Sequence, residues 1–141
     1  MDQKIEPLSA DDVENLDRAR NWVKDFFTEG AEEKYASLED KLRLLDTIVS
    51  KKWIEPTETA KLQSLGVAFG DALVQKLGLE WVMVEDEYGR DPSVLFPGTK
   101  LMAHPLTAIS KRIESGEGID IYDLFKGFCE RLQDLKNKNW S

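Results

Sequence analysis

Apolar residues along this chain recur first every three to four positions, then every two, then every three to four again, and that change of period predicts the fold. Val13, Leu16, Val23, Phe26 and Phe27 form one helical stripe, widened by Ala19 and Trp22. Ser9 stands ahead of it as an N-cap with Asp12 at N3, an Asp form of the capping box. Leu8 and Val13 are placed for a hydrophobic staple, and Gly30 for the stop. A second helix is expected from Ser37, with Leu38, Leu42, Leu45, Ile48 and Val49 on one face and Lys51-Lys52 at its C-terminal end. After the apolar link Trp53-Ile54, Glu55-Pro56 marks a break and a new start.

The third helix, about Thr57 to Leu77, has little polar surface. Leu62, Leu65, Phe69, Ala72 and Leu73 make one face, Val67, Val74 and Leu77 cover much of the rest, and Ser64, Asp71 and Gln75 leave a narrow polar strip. A helix apolar nearly all round is a buried one. Gly66 and Gly70, four apart, lack side chains and let another element come close, which offsets the cost of about 1 kcal/mol that each glycine imposes relative to alanine. This helix is expected to be the central pillar, ended by Gly78.

From Leu79 the period is two. Leu79, Trp81 and Met83 point one way and Val82 and Val84 the other, so the strand is expected to be covered on both sides. It becomes charged at Glu85-Asp86-Glu87, and Tyr88-Gly89-Arg90-Asp91-Pro92 is turn chemistry, Gly89 having a structural part in it. Val94 to Phe96 return as a second strand, and after Pro97-Gly98 the segment Lys100 to Ala103 supplies a third. Pro105 opens a short helix carrying Leu106, Ile109 and Ile113. Asp120 caps a last one, with Asp123 at N3, Ile119 and Leu124 as a staple, and Ile121, Leu124, Phe125, Phe128, Leu132 and Leu135 as its stripe. The tail "KNKNWS" is expected to fray. The sum is one α+β domain over residues 1–141: three N-terminal helices, a small three-stranded antiparallel meander and two C-terminal helices.

Composition refines this picture. The 141 residues carry a net charge of −8, and up to Asp40 there are 12 acids against 5 bases, so the acidity belongs to the helical N-terminal part, residues 9–52. That excess favours a well-hydrated, soluble surface or a basic partner, and argues against nucleic acid. No stretch approaches the roughly 20 apolar residues that span a bilayer, so no membrane partner is expected. The polar start "MDQKIEPLSADD" does not read as a signal or transit peptide, and the single Cys129 allows no internal disulfide, which together suggest the cytoplasm.

The segment "LGVAFGDALVQKLGLEWVMVEDEYGRD", followed by "HPLTAISKRIESGE", resembles a bacterial family known as domain of unknown function 3806. The likeness runs through Gly70-Asp71, Gly78, Glu80-Trp81, Asp86-Glu87-Tyr88-Gly89, Pro105, Ser110-Lys111-Arg112 and Glu114, a family-like core over about residues 56–117. It implies a domain and no activity.

Chemistry is sparse. Cys129 and His104 fall on different elements, and one of each is too few for zinc. Glu85, Asp86, Glu87 and Asp91 could gather around a hard cation or supply an acid and a base, but strand alternation separates them and the spacing is not that of a calcium loop. No cofactor and no metal is expected. Arg112 suits an ion pair with Asp86 or Asp71 that would hold its helix to the hairpin. The rival is a ligand or anion site between the hairpin and the Lys111-Arg112 helix, with Trp81, Asp86, Lys111 and Arg112 as ligand-binding residues and Asp71 as structural. The leading expectation is a non-catalytic protein-interaction module, adaptor, inhibitor-like or secretion-chaperone-like, that meets a basic protein surface. The alternative is a small-ligand or anion-binding protein or enzyme using that pocket.

Overall fold

The computed structural model describes residues 3–139. A short strand β1 (Lys4–Glu6) leads into helices α1 (Ala10–Lys24), α2 (Ala31–Ala36), α3 (Leu38–Ser50) and α4 (Thr59–Leu77). Strands β2 (Glu80–Asp86), β3 (Gly89–Leu95) and β4 (Met102–Ala103) follow. A 3₁₀ turn (Pro105–Thr107), α5 (Ser110–Glu114) and α6 (Ile121–Asn139) complete the order. The chain is thus a mixed helix-and-sheet fold, with six α-helices and four antiparallel strands in the order β1-β2-β3-β4 among the described residues.

The pillar is α4. Leu62, Leu65, Phe69 and Leu73 are wholly enclosed, and Gly66, Val67, Ala68, Gly70 and Ala72 are buried beside them. Each large side chain withdrawn from water in this way contributes about 1.5–3 kcal/mol. Phe69 takes the edges of Phe125 and Phe128 from α6 at centroid distances of 5.8 and 5.3 Å, while α1, α3 and the 3₁₀ turn pack around the rest of the rod. The two glycines admit the closest neighbours. A methyl group at Gly66 would overlap the Leu106 carbonyl, and one at Gly70 would overlap the Trp81 indole and Pro105.

Several expectations need correction. The sheet has a fourth strand, because β1 pairs with β2 through Ile5 opposite Val84. Its single apolar residue gives no alternation to read. Helix α1 ends at Lys24, and Gly30, in the left-handed region at φ 61°, opens the extra helix α2 instead of closing α1. There are therefore four helices before β2, counting this short one. The turn at the hairpin tip is also tighter. Asp86 pairs with Gly89, so Arg90, Asp91 and Pro92 already belong to β3. Pro92 is tolerated there because β4 covers only Val94 and Leu95, leaving an edge where a missing N–H costs no ladder bond. Gly89, at φ 135°, has a backbone that a side chain would strain. Residues 136–139 of the expected frayed tail are helical, and its last two, Trp140 and Ser141, lie outside the described residues.

The N-terminal cap forms as its residues suggest. Asp12 N–H donates to Ser9 Oγ at 3.1 Å and Ser9 N–H to Asp12 Oδ2 at 2.8 Å. Val13 is exposed, however, and the buried residue beside it is Asp12. Arg90 of β3 explains the exchange: both of its terminal nitrogens donate to the Asp12 carboxylate at 2.8 Å, fastening the hairpin to the start of α1. These bonds, first from Arg90 and then from the Ser9 N–H, hold the Asp12 carboxyl far below its usual range against the opposing effect of burial. A depressed carboxyl pKa contributes stability above its unfolded value near 3.8, and that contribution is lost as pH falls through the depressed one. In urea melts, Arg90→Ala is expected to be less stable than wild type by a constant margin above about pH 5. The margin should narrow steadily as pH falls below about 4. A margin that does not change with pH would mean the two groups are uncoupled.

Candidate functional site

Apart from the Asp12–Arg90 contact, charged and polar side chains meet at two places. The first is centred on Asp71, on the polar strip of α4. Its carboxylate accepts four hydrogen bonds: Arg20 Nε at 2.7 Å and Nη2 at 2.9 Å, the Tyr35 hydroxyl at 2.5 Å and the Trp81 indole N–H at 2.8 Å. Arg20 comes from α1, Tyr35 from α2 and Trp81 from β2, so one carboxylate joins four elements. Beside it the ammonium of Lys41, only 4% exposed, lies over the Tyr35 ring and donates to Gln75 Oε1 at 3.1 Å. Gln75 in turn donates to the Ala36 carbonyl at 2.8 Å.

Burial and charge act together on these groups. Burial alone would lower the pKa of Arg20, but its bonds to Asp71 and the charge behind them outweigh it and hold the guanidinium above its ordinary value. Tyr35 is pushed up, first by burial and then by the Asp71 charge, so the phenol stays protonated and keeps donating. Burial lowers Lys41, and the Asp71 charge opposes that. Every enclosed side-chain polar atom among the described residues has a partner. A carboxylate that already accepts four hydrogen bonds is suited to tie together the elements that supply them.

The second place is a groove of about 530 Å³ between the β4 edge and α6. Leu124, Phe128, Leu132 and Leu135 line one wall and Met102 the other. Its polar lining is His104, Arg112, Arg131 and Asp123. Ser93, wholly buried, shares a hydrogen bond of 2.7 Å with His104 Nδ1 and fixes the imidazole at the mouth. Ser93 Oγ is thereby enclosed and cannot meet a substrate as a nucleophile. Cys129, on α6, has its thiol pKa raised by burial, which makes it a poor nucleophile as well.

The residues singled out from sequence are dispersed among these features. Trp81 turns toward α4 and uses its indole on Asp71. Asp86 accepts the Tyr88 N–H at 2.8 Å and closes the hairpin tip. Lys111 points to solvent. Arg112 donates to the carbonyl of Ala108, between the 3₁₀ turn and α5, at 2.8 Å, and it alone of the four lines the groove. The suggested pairing of Arg112 with Asp86 or Asp71 is corrected: α5 packs on α4 and the 3₁₀ turn, away from the hairpin tip, and the arginine of Asp71 is Arg20.

Arg20, Tyr35, Lys41 and Arg131 were missed. For two of them a signal exists. Arg20 lies four residues after Leu16 and three before Val23, and Lys41 four before Leu45, so each charge falls within a buried stripe. A charge in such a place calls for a buried partner.

No curated protein matches this chain. A crystal structure of a protein from Bacteroides thetaiotaomicron VPI-5482 has a similar fold, with a TM-score of 0.74 at 13% identity; the similarity covers 93% of this chain and 48% of that one. The present chain therefore spans about half the length of that protein. Asp71 and its Trp81 donor, the 3₁₀ turn, α5 and the start of α6 all fall within residues 41–125, and that segment matches the family model "Domain of unknown function (DUF3806)", so the chain belongs to that family.

Proposed function

We propose that this chain is a non-catalytic protein-interaction module whose acidic helical face meets a basic surface on another protein. The observation that carries this reading is the set of acids that the N-terminal helices leave exposed while two of their bases turn inward. Arg20 points to Asp71, and Lys24 folds over the Tyr35 ring and reaches Glu32. Asp11, Asp25, Glu29, Glu33 and Glu39 stay exposed. Arg18 and Lys34 stay exposed as well, so the outer face of α1, α2 and the start of α3 keeps the acidic excess that the sequence gives it. Such a face steers a basic partner and is screened by salt. The self-satisfied Asp71 cluster agrees with a module that holds its shape and performs no chemistry. Adaptor, inhibitor-like and secretion-chaperone-like roles all use this property.

The test is capture of partners from native extract at low and high salt. The bait is the wild-type chain or a variant with Asp11, Asp25, Glu29, Glu33 and Glu39 changed to their amides. A stoichiometric protein partner that is lost both in high salt and with the variant is the expected result. Partners held equally well under all conditions would overturn the reading.

A further inference from the structure

The groove between β4 and α6 has three properties that are independent of the acidic face. Its volume, about 530 Å³, lies within the range of small-molecule sites, roughly 300–1,000 Å³. Its lining combines an apolar wall with two arginines. Among the described residues neither Arg112 nor Arg131 is within ion-pair reach of a carboxylate. With Asp123 as the acid in the lining, the groove is left with one net positive charge on a chain of −8.

The third property is Gly127, on the groove-facing side of α6. A glycine inside a helix forfeits stability relative to alanine. At Gly66 and Gly70 close packing accounts for that loss, but a methyl group at Gly127 would meet nothing within 4 Å. What the missing side chain supplies is room in the groove.

We infer that this groove binds a small amphipathic monocarboxylate. The apolar body lies along Phe128, Leu132 and Met102, and the carboxylate meets Arg131, Arg112 and the free nitrogen of His104. Two of the three polar groups are held in advance, Arg112 by the Ala108 carbonyl and His104 by Ser93. Binding therefore costs little ordering of these side chains. The planar guanidinium fork suits a carboxylate, and one net positive charge suits a monoanion better than a phosphate dianion.

The test uses decanoate below its micellar range as the probe, with calorimetric titration of the whole chain. The expected result is a single saturable site. Decanol and inorganic phosphate should each bind at least about tenfold more weakly, and Arg131→Ala should weaken decanoate by about tenfold or more. Gly127→Leu should abolish binding while the free variant melts cooperatively. Arg131 is exposed, so its substitution decides the matter if Gly127→Leu fails to fold. Absence of saturable binding, decanol binding as well as decanoate, or indifference to Arg131→Ala would each overturn the proposal. So would tighter, Arg131-dependent binding of a short apolar peptide through its C-terminal carboxylate, which would make the groove a peptide site.

Discussion

Asp71→Ala is expected to cost about 3–5 kcal/mol of folding stability. The magnitude follows from what is left behind. Arg20, Tyr35 and Trp81 all aim donors at the lost carboxylate, and the Arg20–Asp71 pair is mostly enclosed, with 21% and 13% of the side chains exposed. Removing the acceptor strands a phenol and an indole N–H and leaves the Arg20 guanidinium with Asp17 alone, at 2.8 Å, and each stranded donor costs about 1–3 kcal/mol. Tyr35→Phe removes one donor and strands none, because the carboxylate keeps its other three bonds. It is expected to cost about 1 kcal/mol. Urea melts of the two variants give the comparison. An Asp71→Ala penalty no larger than that of Tyr35→Phe would show that the cluster is held by the surrounding packing. A double-mutant cycle with Arg20→Ala then separates the ion pair from the rest, since only the coupled part is absent from the sum of the single changes.

The Asp71 cluster also marks the boundary between what the sequence makes legible and what it does not. The pillar α4 is readable because its own residues state its burial: apolar side chains occupy nearly every direction around it. The Ser9 capping box and the Asp120 cap are readable because donor and acceptor are three residues apart. Two partners of Asp71, Arg20 and Tyr35, lie 51 and 36 residues away, on helices whose relative placement no local pattern records. Asp12 and Arg90 are 78 residues apart. The likelihood that two distant charges meet depends on how helices cross, and that is decided by packing along their whole length. The same limit applies to the groove. Arg131 and Arg112 belong to different helices, and the sequence places only Arg112 beside a candidate site. Strand β1 was hidden for another reason: three residues with one apolar side chain owe their conformation to the edge of β2, not to their own preference.

Alanine at the three helix-interior glycines is expected to give opposite results. Intrinsic propensity favours every one of these changes by about 1 kcal/mol. At Gly66 the added methyl group would overlap the Leu106 carbonyl, which is backbone and cannot swing aside. The 3₁₀ turn would have to move, and forced repacking of this kind costs about 1–3 kcal/mol or more. Overlap wins over propensity, and Gly66→Ala should be destabilised. Gly70→Ala meets the Trp81 ring and the Pro105 side chain. It should be destabilised too, with the further sign that Trp81 is displaced from Asp71 and its fluorescence changes. At Gly127 no atom opposes the methyl group, so propensity acts alone, and Gly127→Ala should be more stable by up to about 1 kcal/mol. Urea midpoints for the three variants decide the matter. The contrast in sign is the informative result, because all three substitutions are chemically identical. A stabilised Gly66→Ala would mean that the pillar and the 3₁₀ turn are not in close contact. A destabilised Gly127→Ala would mean that the α6 glycine serves packing and not the open groove.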